Sequence, residues 1–534
     1  MEQLSIITKS ESRYLSPKEA SVWASKYLDR NITISNISYL VQYGRIRKYS
    51  SNGRILIDVD ELKEYYDVFD KELQWKKKLG DDLNWNLSFS EYKESERTKH
   101  VHRLHPYKGK FIPQLVEYFL DNRTDEFKKR VYFQRGDIVL DPFCGSGTTL
   151  VQANELGIHS IGTDISAFNA LISNTKLKRY DITKLRESIS SLTNRLMSYR
   201  QHGNIVDFEE ELQLKLTHFN NKFFPSPQYK RQVAKKEVNE NEYSKAKEKE
   251  FLQEYFELIK KYDIELDNKI CHSFLDKWFL PPVRDEIDFM FQEIKKITDQ
   301  DVKKITAIIL SRTVRSCRAT THADLGTLKD PVKTTYYCKK HGKICKPIFS
   351  IKGWWLRYSQ DTLKRLLQFD SLRTKTYQIC LIGDSRVIDL HEALSRKNDC
   401  LNQLLVKQKA AGIFSSPPYV GLINYHEQHA YSYELFGFER NDEAEIGSLT
   451  NGQGKEAKES YVKGIVETLM NCKKYLKKDY DVFLVANDKF NLYPRIAQLS
   501  GMKIVNQFKR PVLNRVEKDR SNAYSETIFH LKEG

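Results

Sequence analysis

Two short stretches of this chain combine residue types that suit a charged ligand and a planar one. In the first, Asp137-Ile138-Val139-Leu140-Asp141 reads as a buried strand. Pro142-Phe143-Cys144-Gly145-Ser146-Gly147-Thr148-Thr149 turns from it into a helical run, Leu150 to Leu156. Strand, glycine turn and helix form the nucleotide cradle of doubly wound folds. A phosphate-binding loop needs Lys before its last hydroxyl residue, and here Gly147 stands before Thr148. A dinucleotide fingerprint needs a third glycine, and Leu150 stands in its place. What remains is a turn whose glycines, Gly145 and Gly147, let a ligand approach the backbone, with acids beside it. Asp141 ends the strand and suits a cationic amino group. Asp164 ends the next strand, Ser160-Ile161-Gly162-Thr163-Asp164, 23 residues on, and suits the two hydroxyls of a ribose. The pair suits S-adenosylmethionine, which has an amino-acid moiety and a ribose but no phosphate. A tight turn with no ligand is the bland alternative.

In the second stretch, Gly412-Ile413-Phe414-Ser415 is an apolar strand that runs into Ser416-Pro417-Pro418-Tyr419. Prolines cannot continue a central strand, and two in a row lock a stiff turn with its carbonyls aimed in fixed directions. A polar residue before them and an aromatic after them make a clamp for a planar group: acceptors on one side, a stacking face at Tyr419 on the other. A Pro-Pro turn alone is weakly specific. Paired with the Asp141 turn it is much stronger.

The elements that must position these stretches follow from periodicity. Around Asp141 the pattern is α/β from His105 to about Thr175. From Tyr377 onward short apolar strands return, Ile379-Cys380-Leu381-Ile382, Ala411 to Phe414 and Val482-Phe483-Leu484-Val485, alternating with helical stretches as in a parallel sheet. Residues 99–175 and 377–534 are thus two parts of one α/β core, split by a mostly helical insertion at 176–376. Within it, Gln228 to Glu250 is nearly all polar and predicts a solvated helix or mobile loop. Residues 68–98 are charged and predict a linker. Residues 1–67 form a separate module. Ser16-Pro17-Lys18-Glu19 starts one helix, and Ser35 starts a second that Gly44 ends. Asn52-Gly53 joins two runs as a hairpin, and a last helix begins near Asp58.

Composition narrows the partners. The chain has 534 residues, with 87 Lys and Arg against 71 Asp and Glu, a formal charge of +16. That excess favours a polyanion, nucleic acid before membrane. No apolar run approaches the roughly 18 residues of a membrane span, and eight cysteines in this length are no disulfide framework. The first residues show no basic segment leading into an apolar one, so no signal peptide is expected, and the location expected is the prokaryotic cytoplasm or nucleoid. Residues 301–350 alone hold 11 Lys and Arg against 3 Asp and Glu. There Arg312, Arg315 and Arg318 recur at a spacing of three, which predicts one basic helical face for DNA. An ordinary basic surface helix is the alternative.

With both stretches in view, the chain resembles the DNA amino-methyltransferases, which methylate cytosine N4 or adenine N6. Asp141 to Thr149 is similar to their motif I and Ser416 to Tyr419 to their motif IV. His105-Pro106-Tyr107-Lys108-Gly109-Lys110-Phe111-Ile112-Pro113 resembles the cofactor-side motif X. Gly383-Asp384-Ser385-Arg386, 32 residues before Ser416, resembles motif III, whose acid meets the adenine end of the cofactor. The resemblance covers about residues 100–175 and 377–531. It implies a Rossmann-like class I methyltransferase sheet with S-adenosylmethionine as cofactor. Lys110, Phe111, Asp141, Phe143, Gly145, Ser146, Gly147, Asp164 and Asp384 would hold the cofactor. Ser416, Pro417, Pro418 and Tyr419 would hold a base flipped out of double-stranded DNA. Ser at 416 leans to cytosine N4, since many adenine enzymes carry Asp there. Motif IV follows motif I here, and many enzymes with Ser-Pro-Pro-Tyr have the reverse order, which weakens the inference from Ser416 to the base. Residues 1–67 resemble the small winged helix-turn-helix of excisionase and MerR-like proteins. In that reading Arg45, Arg47 and Lys48 would touch DNA, and target recognition lies in the insertion.

No Pro is followed by Cys anywhere, so the nucleophile of cytosine-C5 enzymes is absent. RNA and protein-amide methyltransferases usually carry Asn before Pro-Pro-Tyr. A non-catalytic DNA-binding regulator is opposed by the intact motifs. No nuclease or helicase motif is present, so any restriction endonuclease of the same system would be a separate partner. Cys338-Lys339-Lys340-His341-Gly342-Lys343-Ile344-Cys345 raises zinc, with Cys317, His322 or Cys271 to complete four ligands. The spacing matches no standard pair of pairs, so reduced structural cysteines and no metal are expected. His426-Glu427-Gln428-His429 spaces its histidines three apart, unlike the metalloprotease motif, and either lines the pocket or packs.

Overall fold

The computed structural model describes residues 14–42, 45–51, 54–69, 78, 83–89, 91–107, 109–125, 127–201, 204–268, 273–322, 330–421, 427, 429–512 and 524–534. Near the N-terminus Ser16 caps the helix Pro17–Tyr27. Its Oγ accepts from Glu19 N, and Glu19 Oε2 accepts from Ser16 N at 2.8 Å. A helix Ile34–Gln42 follows. Strands β1 (Tyr14–Leu15), β2 (Tyr49–Ser51) and β3 (Arg54–Asp58) form an antiparallel sheet in the order β1-β3-β2, and the helix Val59–Phe69 closes the module. Ala20, Ala24, Ile37, Ile57 and Leu62 are its core. Strand β1 has no counterpart in the sequence expectation. Gly44 and the Asn52-Gly53 turn lie outside the described residues.

The main sheet has seven strands. They are β4 (Ile138–Asp141), β5 (His159–Asp164), β8 (Gln378–Ile382), β9 (Ala410–Ser415), β10 (Leu476–Ala486), β11 (Met502–Pro511) and β12 (Ser525–Glu533), in the order β11-β12-β10-β9-β4-β5-β8. Five central strands, β10 to β8 in that order, are parallel, and β12 runs antiparallel to both its neighbours. From β4 the chain winds outward through β5 to β8, then returns to the other side of β4 as β9. The order therefore reverses between β4 and β9, and ligands of open α/β sheets bind at such a switch point, beyond the strands' carboxyl ends.

Strand alternation sorts the core into two faces. Ile138, Leu140, Val482 and Leu484 pack towards the helix Lys455–Lys473, while Val139, Phe483 and Val485 pack with Leu115 and Phe119 of the helix Pro113–Leu120. Part of the expected linker belongs to this second face. Leu87 and Phe89 are buried in it, and Asn84 N donates to Lys509 O at 2.9 Å. The apolar residues spaced among its charges are what anchor it.

Between β5 and β8 lie long helices, among them Ile182–Arg200, Ile205–Phe223, Glu240–Tyr262, Pro281–Lys295, Gln300–Ser316 and Lys352–Asp370. A hairpin of β6 (Tyr336–Cys338) and β7 (Lys343–Cys345) interrupts them. The polar stretch from Gln228 is ordered into two helices, and Phe251, Tyr255 and Leu258 of the second are buried. The insertion is not a lobe with its own core. Leu150, Val151 and Ala170, from helices that flank the sheet, share one apolar cluster with Ile305, Ile309, Val314 and Trp355.

Candidate active site

A cleft opens where the switch point requires it. Four strand ends line it: Pro142 to Ser146 after β4, Asp164 to Ser166 after β5, Gly383 to Ser385 after β8, and Ser416 with Pro418 after β9. The segment before the sheet closes one side through Tyr107, Gly109, Lys110 and Phe111, and Glu445 and Ile446 close another. The space is about 900 Å³ including the part open to solvent.

Motifs I and IV meet through one hydrogen bond. Ser415 Oγ donates to Asp141 Oδ1 at 2.6 Å, across the switch point itself. The same oxygen accepts from Phe143 N at 3.3 Å. Asp141 is buried and is not among the residues lining the cleft. It ties the glycine turn to Ser415, the residue before the Ser-Pro-Pro turn. Burial pushes its carboxyl up to about 6, against the lowering effect of its hydrogen bonds.

Asp164 does line the cleft. Its Oδ2 accepts from Gly145 N at 2.7 Å, and its Oδ1 accepts from Ser166 N at 2.9 Å and Asn169 Nδ2 at 3.0 Å. It too is pushed up to about 6, by burial first. Asp384 also lines the cleft. Burial alone would raise its carboxyl, but Arg386, donating through Nε and Nη2, holds it below the ordinary value. Lys110 lines the cleft but donates its ammonium to His102 O at 2.7 Å, and burial lowers it to about 8.

The two glycines differ in purpose. Gly145 has φ +51°, and a Cβ there would meet the Tyr107 ring at 3.1 Å, so the turn is pressed beneath an aromatic wall of the cleft. Gly147 has φ +77°, caps the helix Thr148–Leu156 and does not line the cleft. A Cβ on it would strike Ser173 Oγ at 2.8 Å, so packing demands it. Phe111 and Phe143 line the cleft, as does Ser146, whose Oγ is buried with no hydrogen-bond partner among the described residues.

In the second motif, Ser416 and Pro418 face the cleft and Pro417 does not. Tyr419 turns to an adjoining small cavity with Asn487, Asp488 and Phe490, and its hydroxyl donates to Glu526 Oε1 at 2.7 Å. His429 is buried against Tyr107, ring centroids 5.6 Å apart. His426 and Gln428 lie outside the described residues.

The basic face expected in the insertion is corrected. The helix ends at Ser316, so Arg318 lies beyond it, and its Nε donates to Arg315 O at 3.0 Å. Arg312 is buried, donates to Asp361 Oδ2 at 2.7 Å and sits 4.0 Å from the centre of the Tyr358 ring. Both are taken up by the protein interior, and only Arg315 is partly exposed. Arg45, Arg47 and Lys48 are exposed, with Glu61 3.8 Å from Arg47 Nε.

Sequence reasoning missed several lining residues: Ser166, Asn169, Tyr433 and Glu445. Tyr107 lay inside the quoted motif X without being singled out. Ser166 and Asn169 start the helix after Asp164, a position from which an N-terminal turn reaches a strand end. Glu445 carries no motif signal.

The donor set tests which ligand fits. Three carboxylates, Asp164, Asp384 and Glu445, face the cleft, and Lys110, the one lysine among its described lining residues, is engaged elsewhere. Such a lining repels phosphates and matches a ligand with cationic centres and hydroxyls. S-adenosylmethionine has both, and the unpartnered Ser146 hydroxyl at the glycine turn supplies a donor. These residues fit the group.

Comparison with known proteins decides the family. The chain is 47% identical over 521 residues to the Type II methyltransferase M.MjaII of Methanocaldococcus jannaschii, covering 96% of both chains. It is a DNA N4/N6-methyltransferase. A family model described as DNA methylase also matches residues 6–174. This DNA methyltransferase is further similar to the Type II methyltransferase M.MvaI of Kocuria varians, 32% identical over 151 residues, 26% of this chain and 31% of the other. A tRNA (guanine(10)-N2)-dimethyltransferase of Methanocaldococcus jannaschii matches over 71 residues only, at 37% identity, 11% of this chain and 20% of the other. As a family member the methyltransferase uses S-adenosylmethionine and acts on double-stranded DNA, and its sheet is the Rossmann-like class I methyltransferase fold. Among the described residues no helix is long and apolar enough to cross a membrane.

Proposed function

We propose that this methyltransferase modifies the exocyclic N4 of cytosine, flipped out of a specific DNA sequence, as the modification enzyme of a Type II restriction-modification system. The observation that carries the reading is the Asp141–Ser415 hydrogen bond, which holds Ser416 at the rim of the same cleft as the acids and the glycine turn. Bound S-adenosylmethionine supplies an electrophilic methyl group on its sulfonium. Asp164, Asp384, Gly145 and Ser146 bind and orient it. An exocyclic amino group is a poor nucleophile because its lone pair is delocalised into the ring. Ser416 Oγ accepts a hydrogen bond from one amino hydrogen and favours the pyramidal nitrogen whose lone pair is free to react. As the N–CH3 bond forms the S–CH3 bond breaks, sulfur leaves as a neutral thioether, and the nitrogen loses its surplus proton to solvent. The Pro417 and Pro418 turn keeps that acceptor in place, so positioning and electrostatics do the work and no covalent enzyme adduct is needed. Tyr419 then offers a face for the flipped base.

Ser rather than Asp at 416 supports cytosine over adenine by resemblance, since many adenine enzymes carry Asp there. The high identity to a Type II methyltransferase supports the restriction-modification setting, with a cognate endonuclease as a separate protein. The N-terminal module, with the exposed Arg45, Arg47 and Lys48 beside its hairpin, serves as a winged helix-turn-helix that adds phosphate contacts.

Nucleoside mass spectrometry tests the reading. The purified chain is incubated with S-adenosylmethionine and mixed-sequence duplex DNA, and the digest is scanned. N4-methylcytosine is the expected product. N6-methyladenine would keep the mechanism and overturn the base assignment, and no methylated nucleoside would overturn the proposal.

A further inference from the structure

Far along the chain from the cofactor motifs, four side chains of metal-binding type converge. We propose that His322, Cys338, His341 and Cys345 form a structural zinc site within the helical insertion. One ligand atom from each lies within 4.8 Å of the others, and Cys345 Sγ is 3.5 Å from His341 Nδ1. With Zn–S near 2.3 Å and Zn–N near 2.0 Å, the edges of a tetrahedral site run roughly 3.3–3.8 Å. The arrangement thus needs only a small contraction around an ion.

The sequence raises zinc here but leaves open which of Cys317, His322 and Cys271 completes the set, because the fourth ligand comes from outside the hairpin. Cys338 ends β6, Cys345 ends β7 and His341 sits in the turn between them, where His341 N and Gly342 N both donate to Cys338 O. His322 arrives after the helix Gln300–Ser316, its ring centroid 4.4 Å from that of His341. Cys317, the other candidate, is buried at that helix's end and lies outside the cluster, and Cys271 lies outside the described residues.

The surroundings support a metal over a chance cluster. Tyr336 OH pairs with His322 Nδ1 at 2.8 Å. With that nitrogen donating, Nε2 keeps the lone pair a metal requires, and the tyrosine acts as the outer-shell group that fixes the ring. Two thiols and two imidazoles with no carboxylate select zinc over calcium or magnesium, and four protein ligands leave no open position for catalysis. The hairpin also needs support. Its strands have three residues each, and an isolated two-stranded hairpin is marginal in water. Asn220 already brackets Ile344 on one side, through its N–H and its carbonyl, and zinc would tie the other side to the segment leaving the long core helix.

The full chain, purified without chelators in reducing buffer, should carry roughly one zinc by elemental mass spectrometry. Cys338→Ser and Cys345→Ser should each lose most of it, and Cys317→Ser should keep it. Because a cysteine variant can fail to fold, the wild-type chain stripped of metal is also titrated with cobalt. A thiolate-to-cobalt charge-transfer band of tetrahedral type, saturating at one equivalent, is expected. A wild-type chain that holds no zinc and gives no cobalt band overturns the proposal. So does zinc retained by both cysteine variants, or a Cys338–Cys345 disulfide trapped by alkylation in freshly lysed cells.

Discussion

Asp141→Asn removes a charge that folding buries while keeping the side chain's shape. Oδ1 of the asparagine still accepts from Ser415 and Phe143, so the change isolates the charge. In the wild-type chain burial raises this carboxyl from 3.8 to about 6. Two pH units at 1.36 kcal/mol each correspond to about 3 kcal/mol. The sign follows from the direction. A raised carboxyl favours the fold below about pH 4, and that advantage is lost as pH rises through about 6. Asparagine never ionises, so the variant gains on the wild type with increasing pH, and about half of the 3 kcal/mol, roughly 1.5, develops between pH 5 and pH 8. Urea unfolding of both proteins at the two pH values measures the widening gap. A gap equal at pH 5 and pH 8 would refute the reasoning, because Asp141 would then not titrate in that window. The same variant tests position. Asp141 does not line the cleft, so the cofactor Kd should stay within about 3-fold. A direct charged contact is worth about 1.5–3 kcal/mol, or roughly 10- to 150-fold, and a loss of that size would return Asp141 to the ligand.

Gly145→Ala should weaken cofactor binding by about 10-fold, since it forces a side chain into a left-handed conformation that costs about 1–2 kcal/mol and presses it on Tyr107 at 3.1 Å; calorimetric titration with S-adenosylmethionine reads it. Ser416→Ala should lower kcat by roughly 10²–10³ with little change in cofactor Kd, and an equal loss in both would remove the serine from the methyl-transfer step. Arg312→Ala should cost roughly 1.5–3 kcal/mol of stability by removing a charge-assisted hydrogen bond to Asp361, which Arg365 still pairs at 2.8 Å, without changing the salt dependence of DNA binding, whereas Arg45→Ala with Lys48→Ala should flatten the log–log salt slope by about 2.

The α/β core was legible because its strands and glycine turn are local signals. Asp141 through Thr149 fall in a few consecutive residues, and Ser416-Pro417-Pro418 cannot be anything but a stop after a strand. What periodicity could not show was direction. Asp141 and Asp164 look alike in sequence, each ending a strand, yet one points at Ser415 and the other into the cleft. Arg312 and Arg318 recur at helical spacing with Arg315, but the helix is buried on most sides and ends before Arg318, and Asp361, far along the chain, neutralises Arg312. Which of Cys317, His322 and Cys271 joins the Cys and His cluster stays open in the sequence for the same reason: His322 meets the hairpin only in three dimensions. The polar stretch from Gln228 to Glu250 forms helices whose side chains are mostly exposed, the solvated of its two expected forms, and the second helix docks through Phe251 and Tyr255 just beyond it.

The shared apolar cluster has a consequence for re-engineering target choice. Leu150 and Val151, on the helix that begins at the glycine turn, pack in one cluster with Ile305, Ile309 and Trp355 of the insertion. A graft that exchanges residues 176–376 with those of a relative would leave these side chains facing strangers, so a stable chimera must carry the matching face of the Thr148–Leu156 helix along with the insertion. Any sequence drift in the insertion is transmitted to the helix that follows the glycine turn, and the two halves of this enzyme are bound to evolve as one.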